Sequence, residues 1–195
     1  MIYKRRFSEY FSRKPFFTFN EAERYLSREG ATEGYCRLLL HNMVKKNELV
    51  RIKKGFYTFS RNEVVSGFAF RPFHYGLEYA LSIRKTWTQQ SIPVVVTTSK
   101  ANPGIRDVLG YKILVRRISE KYFFGFEYLN YSNFFIPVST PEKTALDFLY
   151  YGIKLDPETL HSLLAQSDPL ILKDYASKPG IRELNSTVQQ FFRHE

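Results

Sequence analysis

Arg37 carries the most specific chemistry on offer in this sequence. It stands in a run from Thr32 to about Lys46 whose apolar residues Cys36, Leu39, Leu40 and Met43 recur at helical spacing. That spacing turns Gly34, Leu38, His41 and Lys45 outward, with Arg37 and Asn42 on their flanks. A guanidinium is a planar fork of donors, and the fork matches the two acceptors on guanine's major-groove edge. Thr32, Tyr35 and His41 belong to the same half of the helix and offer a hydroxyl, a phenol and an imidazole. Lys45, Arg51, Lys53 and Lys54 follow as charges suited to phosphates, which fix register without reading sequence. Thr32, Tyr35, Arg37, His41, Lys45, Arg51, Lys53 and Lys54 are thus the candidate DNA-binding set. Two other assignments stay open. The outward face also suits a protein contact, with its charge serving solubility, and Tyr35 and Leu38 are also candidates for the core.

Patterns for catalysis are weaker. The histidines, His41, His74, His161 and His194, show no metal-ligand spacing. No G-x-S-x-G elbow and no phosphate-cradling glycine loop occur, and Gly55 is isolated. Glu142, Lys143 and Asp147 have the residue types of a metal-dependent nuclease site, but no preceding strand supplies a convincing acidic partner. Glu142 is better explained as an acid complementing a helix start, with Asp147 free to bond a nearby basic strand residue. Cys36 lies on the apolar stripe and reads as a buried thiol. The expectation is a protein that is not an enzyme and needs no cofactor or metal.

The elements that must position the DNA-binding set follow from the flanking residues. Phe7, Tyr10 and Phe11 stripe a first helix from Tyr3 to Phe11, and Lys14-Pro15 ends it. Phe16 to Phe19 is a short extended segment. Asn20 reads as the cap of a second helix, with Glu21 and Glu23 in its first turn and Ala22, Tyr25 and Leu26 inside. Gly30 stops it and Thr32 caps the next, a spacing that predicts a helix-turn-helix. Val50, Ile52 and Phe56 then read as a hairpin turning at Lys53-Lys54-Gly55. Helix, strand, helix, helix, hairpin is the order of a winged helix.

Beyond it, Ser60 to Phe70 reads as a linker. Tyr75 to Thr86 predicts a buried helix, and Ile92 to Thr98 a central strand. Tyr111 to Ile118 and Tyr122 to Leu129 read as a hairpin around Ser119-Glu120-Lys121, followed by a strand from Phe134 to Val138. The hairpin's basic residues, Lys112, Arg116, Arg117 and Lys121, read as a solvated edge protected by charge, with an extended DNA footprint or a partner contact as alternatives. Thr140-Pro141, Asp156-Pro157 and Asp168-Pro169 each open a helix. Ile181, Leu184, Val188, Phe191 and Phe192 stripe a last one. The predicted fold class is α+β: a winged helix-turn-helix over residues 1–63, then a mixed α/β domain over 64–195 with a helical C-terminal tail.

Composition agrees with this division. The chain has 195 residues, 44% of them hydrophobic, which excludes wholesale disorder. One cysteine excludes an intrachain disulfide and points to a reducing, cytoplasmic setting. No apolar run has the length of a membrane span and no signal peptide is visible, so no membrane partner is expected. The formal net charge is +10, and residues 1–63 hold 14 Lys and Arg against 7 Asp and Glu. Most of the excess charge therefore sits where the helix-turn-helix is predicted, a field that favours a polyanion.

Three segments also resemble a known family. Leu49-Val50-Arg51-Ile52-Lys53-Lys54-Gly55-Phe56-Tyr57 is similar to the wing of AbiEi-type antitoxins and transcriptional regulators. Pro72 to Leu81 resembles that family's proline, aromatic and Ala-Leu helix. Ser139-Thr140-Pro141-Glu142-Lys143-Thr144-Ala145-Leu146-Asp147-Phe148-Leu149-Tyr150 resembles its "s-x-P-E-K-A" helix. Together they cover roughly residues 5–152. The resemblance implies a type IV toxin–antitoxin regulator. Its winged helix would bind double-stranded operator repeats and repress its own operon. Its second domain would counter a nucleotidyltransferase toxin, in family members without a stable complex between the two. The departure is the short stretch after Gly152, where longer members carry more. An alternative from another class is a protein-interaction module that binds a partner without DNA.

Overall fold

A computed structural model describes residues 2–87, 89 and 91–178. The helix expected around Ile181 to Phe192, with His194, lies outside the described residues.

Helix α1 (Ile2–Phe11) buries Phe7 and Phe11 against Phe17. A two-residue strand β1 (Phe17–Thr18) leads into α2 (Phe19–Arg28). The cap of α2 is Thr18, two residues before the expected Asn20. Its hydroxyl accepts from the Glu21 amide, and the Glu21 carboxylate accepts from the Thr18 amide at 2.8 Å. This reciprocal box satisfies two otherwise unpaired donors, which an asparagine cap at position 20 would not. Burial opposes the Glu21 charge, yet the Thr18 bonds and Lys14 hold its pKa below the usual value. Gly30 takes a left-handed φ of 88°, and α3 (Glu33–Lys45) starts from its Thr32 cap. Cys36, Leu39, Leu40 and Met43 are all buried, as their spacing requires. Burial pushes the Cys36 thiol up to about 11, so it carries no thiolate near neutrality.

Strands β2 (Val50–Lys53) and β3 (Phe56–Thr58) form the expected hairpin, with Lys54-Gly55 at its tip. β3 also pairs with β1, so the three make one antiparallel sheet in the order β1-β3-β2. Its two faces have different partners. Tyr57 packs toward the core of α1–α3, whereas Ile52 and Phe56 pack toward the core of the following residues.

Residues 60–70 are not a free linker. Asn62 caps a 3-10 helix, Glu63–Phe70, whose Val64, Val65 and Phe68 are buried. Buried Tyr75 donates its hydroxyl to the Val64 carbonyl and accepts from the Gly67 amide at 3.2 Å. This strap is drawn onto the second core by its own apolar side chains.

The second core surrounds a six-stranded sheet in the order β6-β7-β5-β4-β9-β8. The strands are β4 (Phe73–Tyr75), β5 (Val94–Thr97), β6 (Gly104–Val108), β7 (Tyr111–Arg117), β8 (Phe126–Tyr131) and β9 (Phe134–Ser139). β5 is central, as expected. Two expectations are corrected. Phe73 to Tyr75 is a strand, so α4 is confined to Leu77–Ile83. The hairpin across Ser119-Glu120-Lys121 does not form, since Glu120–Tyr122 is a 3-10 turn that carries the chain from interior strand β7 to β8 at the far edge of the sheet. β7 pairs with β6 and β5, and β8 pairs with β9. Tight turns at Leu109-Gly110 and Ser132-Asn133 make the two real hairpins, with left-handed residues at Leu109, Gly110 and Ser132. β7 is therefore an interior strand, and its basic residues do not protect an edge. Arg116 is partly buried over the Tyr151 ring, while Arg117 is exposed.

Helices α5 (Pro141–Tyr150), α6 (Pro157–Ala165) and α7 (Pro169–Ser177) open at the expected caps, Thr140, Asp156 and Asp168. The fold is α+β. No helix among the described residues is long and apolar enough to cross a membrane.

Candidate nucleic-acid interface

The outward side of α3 is exposed along its length. Thr32, Arg37, His41 and Lys45 are all exposed, and no part of the second sheet covers them. Leu38 is 58% exposed in the middle of this face, so it does not belong to the core. Tyr35 is half-buried, its ring edge-on to Tyr3 of α1 at 5.9 Å. Its amide is bonded by the Thr32 hydroxyl, so Thr32 spends an acceptor on capping the helix.

Arg37 is held rather than free. Its Nε donates to Glu33 at 2.9 Å, one turn back, and its guanidinium lies 4.9 Å from the Phe19 ring centre. The carboxylate takes the Nε side of the fork and leaves the Nη1 hydrogens and the outer Nη2 hydrogen free for a base edge. Phe19 supplies a flat support that the spacing of α3 alone does not reveal.

A groove of about 330 Å³ runs between α3 and the hairpin. Arg37, His41 and Arg51 line it, with Phe19, Leu40, Val44 and Tyr57 as its floor and walls. Arg51 reaches it because Arg51 pairs with Tyr57 across the hairpin and shares its face. Among the described residues Lys45, Arg51 and Lys54 make no ion pair. The groove lining is thus positive, with Glu33 as the acid paired to Arg37 at its edge.

Lys53 departs from this set. Its Nζ donates to the Ala69 carbonyl of the strap at 2.8 Å and lies 4.5 Å from the Phe56 ring centre. Partial burial and the neighbouring Arg71 charge lower its pKa. Lys54, one residue on, is at the exposed tip. The structure therefore brings Arg37, His41 and Arg51 together in one groove, leaves Lys45 and Lys54 exposed outside its lining, and bonds exposed Lys53 to the strap.

The second constellation is buried. Lys143 donates to Asp147, whose other oxygen lies 3.4 Å from His74 Nε2 on β4. His74 is stacked on Phe126 at 5.3 Å, and burial lowers its pKa against the opposing pull of Asp147. Glu142 accepts the Asp168 amide at 2.7 Å, tying α5 to the start of α7. Glu142, Lys143, Asp147 and His74 are each no more than 6% exposed. These contacts join helices to sheet, and they give Asp147 the basic strand partner that the sequence suggested.

Residues 2–59 fold as three helices, α1 to α3, with a cationic hairpin beside α3. Residues 6–60 match the model of a family described as "Transcriptional regulator, AbiEi antitoxin". This is the family whose motifs the chain resembles, and the match contains the Leu49–Tyr57 segment while ending before the six-stranded sheet. No curated protein matches the chain.

Proposed function

We propose that the chain is a DNA-binding transcriptional regulator, built as a winged helix-turn-helix over residues 1–63 and an α+β domain over 64–195. In this proposal α3 enters the major groove of operator repeats. Arg37, steadied by Glu33, offers its free Nη hydrogens to a base edge, and Thr32, Tyr35 and His41 contact neighbouring bases or phosphates. Lys45, Arg51 and Lys54 hold phosphates on either side. The observation that carries this is the exposed cationic groove between α3 and the hairpin, which Arg37, His41 and Arg51 share. The match over residues 6–60 supports the extension to an antitoxin that represses its own operon in the cytoplasm. Its functional partner would then be a nucleotidyltransferase toxin, countered through the second domain.

Footprinting of the DNA upstream of the chain's own gene tests the proposal. Protection of repeats, lost in Arg51→Glu, is the expected result. Uniform cleavage at every protein concentration would remove the DNA-binding role. A second reading, a protein-interaction module, draws on Leu38, an apolar side chain exposed at the centre of the α3 face. Retention of a co-expressed toxin by the chain, lost in Leu38→Asp, together with no footprint, would favour it.

A further inference from the structure

A larger groove lies away from α3, where the first half of the chain meets the edge of the six-stranded sheet. Its volume is about 530 Å³. One wall is the face of β8 and β9. Tyr128 pairs with Pro137, and Phe135 lies two residues before Pro137, so Tyr128 and Phe135 project from the same face. Their neighbours Leu129 and Ile136 point the other way, and Ile136 is fully buried in the second core. Tyr128 is 66% exposed and Phe135 59% exposed. Two aromatic rings on an open sheet face, with Phe126 beside them, bury little area within this chain.

The opposite wall is cationic. Arg13, Lys14 and Arg71 line it, and no carboxylate lines the groove among the described residues. Lys14 is 3.5 Å from Glu21, but Arg13 and Arg71 have no acidic partner among the described residues. Arg71 instead lies 4.8 Å from the Phe16 ring centre, held at the groove wall by an aromatic ring.

We propose that this groove binds single-stranded nucleic acid, with bases stacked on Tyr128 and Phe135 and the backbone following Arg13 and Arg71. Exposed rings accept any base because every base has a π-face, and cations on one wall track the phosphates. Duplex DNA keeps its bases stacked on one another and cannot use the rings. An acidic peptide would satisfy the cations but would leave the rings without a purpose. The site is separate from the α3 groove and does not depend on the role proposed there.

The test uses the full chain and a fluorescent oligouridylate of about 12 nucleotides, a length within the range of known single-strand sites. Anisotropy should rise to saturation, with an affinity that falls as salt increases. Tyr128→Ala/Phe135→Ala should weaken binding by at least about tenfold. The aromatic-retaining pair Tyr128→Phe/Phe135→Tyr should restore it. Both positions are exposed, and an unchanged thermal midpoint will show that the variants fold. Arg71→Ala should weaken binding and flatten the salt dependence. Oligodeoxythymidylate of equal length competing less well would identify RNA as the ligand, and equal competition would make the site general for single strands. Absence of saturable binding, equal competition by a duplex, by polyglutamate or by uridine monophosphate, or insensitivity to the loss of both rings would each overturn the proposal.

Discussion

Lys53 and Lys54 are adjacent in sequence and sit in different surroundings. Both side chains are exposed, but Lys53 donates to the Ala69 carbonyl and rests on Phe56, while Lys54 projects from the hairpin tip without such contacts among the described residues. Lys53→Ala should therefore lower stability by about 1 kcal/mol in a denaturant titration, the net worth of one such bond. Lys54→Ala should leave stability unchanged and reduce DNA affinity instead. Sequence alone could not separate the two, because the Ala69 carbonyl lies 16 residues away and its approach is a property of the tertiary fold. Arg37 was legible as an outward residue. Its pairing with Glu33 follows from an i, i+4 spacing that the sequence also displays, whereas its packing on Phe19 does not. His74 makes a second residue-scale prediction. Burial makes its imidazole harder to protonate in the folded chain than in the unfolded chain, where it titrates near its ordinary value of about 6.5. Protons then favour the unfolded state, so the contribution of neutral His74 is complete above about pH 6.5 and is lost as pH falls below it. The thermal midpoint should decline from about pH 6.5 downward, and His74→Gln should decline less steeply over the same interval.

The strap from Glu63 to Phe70 is the element least apparent before the structure. Its apolar residues follow neither helical nor strand spacing over a useful length, so the segment reads as a connection. The structure shows why it is held. Gly67 sits so close to the sheet that an added Cβ would lie 2.4 Å from the Tyr75 hydroxyl and 2.6 Å from the Phe73 ring. Gly67→Ala should cost about 1–3 kcal/mol through overpacking, read as a lower midpoint in urea. The helix starts were legible for the opposite reason. Thr140-Pro141, Asp156-Pro157 and Asp168-Pro169 are local signals, and each governs its own turn. The false hairpin at Ser119-Glu120-Lys121 shows the limit of such signals. Polar residues between two apolar runs permit a reversal, but the choice of strand partner is made elsewhere. Here β7 is already paired through a tight turn with β6 and at longer range with β5, while β8 closes its own tight hairpin with β9.

Across the molecule, the hairpin β2–β3 is shared by the two halves. One face completes the groove with α3, and the other gives Ile52 and Phe56 to the second core, where Phe16 stacks on Phe56 at 5.8 Å. A fragment of residues 1–63 would expose Phe16, Ile52 and Phe56 together. It should unfold at a lower denaturant concentration than the same residues in the full chain, monitored by amide exchange in β2 and β3. Protection equal to that of the full chain would show that the hairpin stands without the second core. The charge excess in residues 1–63 foretold a positive surface, but only the fold shows which cations face one groove. Affinity for the upstream duplex, measured by anisotropy against salt concentration, tests the role of that groove most directly. The wild type should bind it more tightly than a scrambled duplex, with a steep salt dependence. Arg37→Ala should erase the preference at a cost of about 1–3 kcal/mol, and Lys54→Glu should weaken both duplexes alike and flatten the slope by at least about one ion. Equal affinity of the wild type and both variants for both duplexes, at every salt concentration, would contradict it.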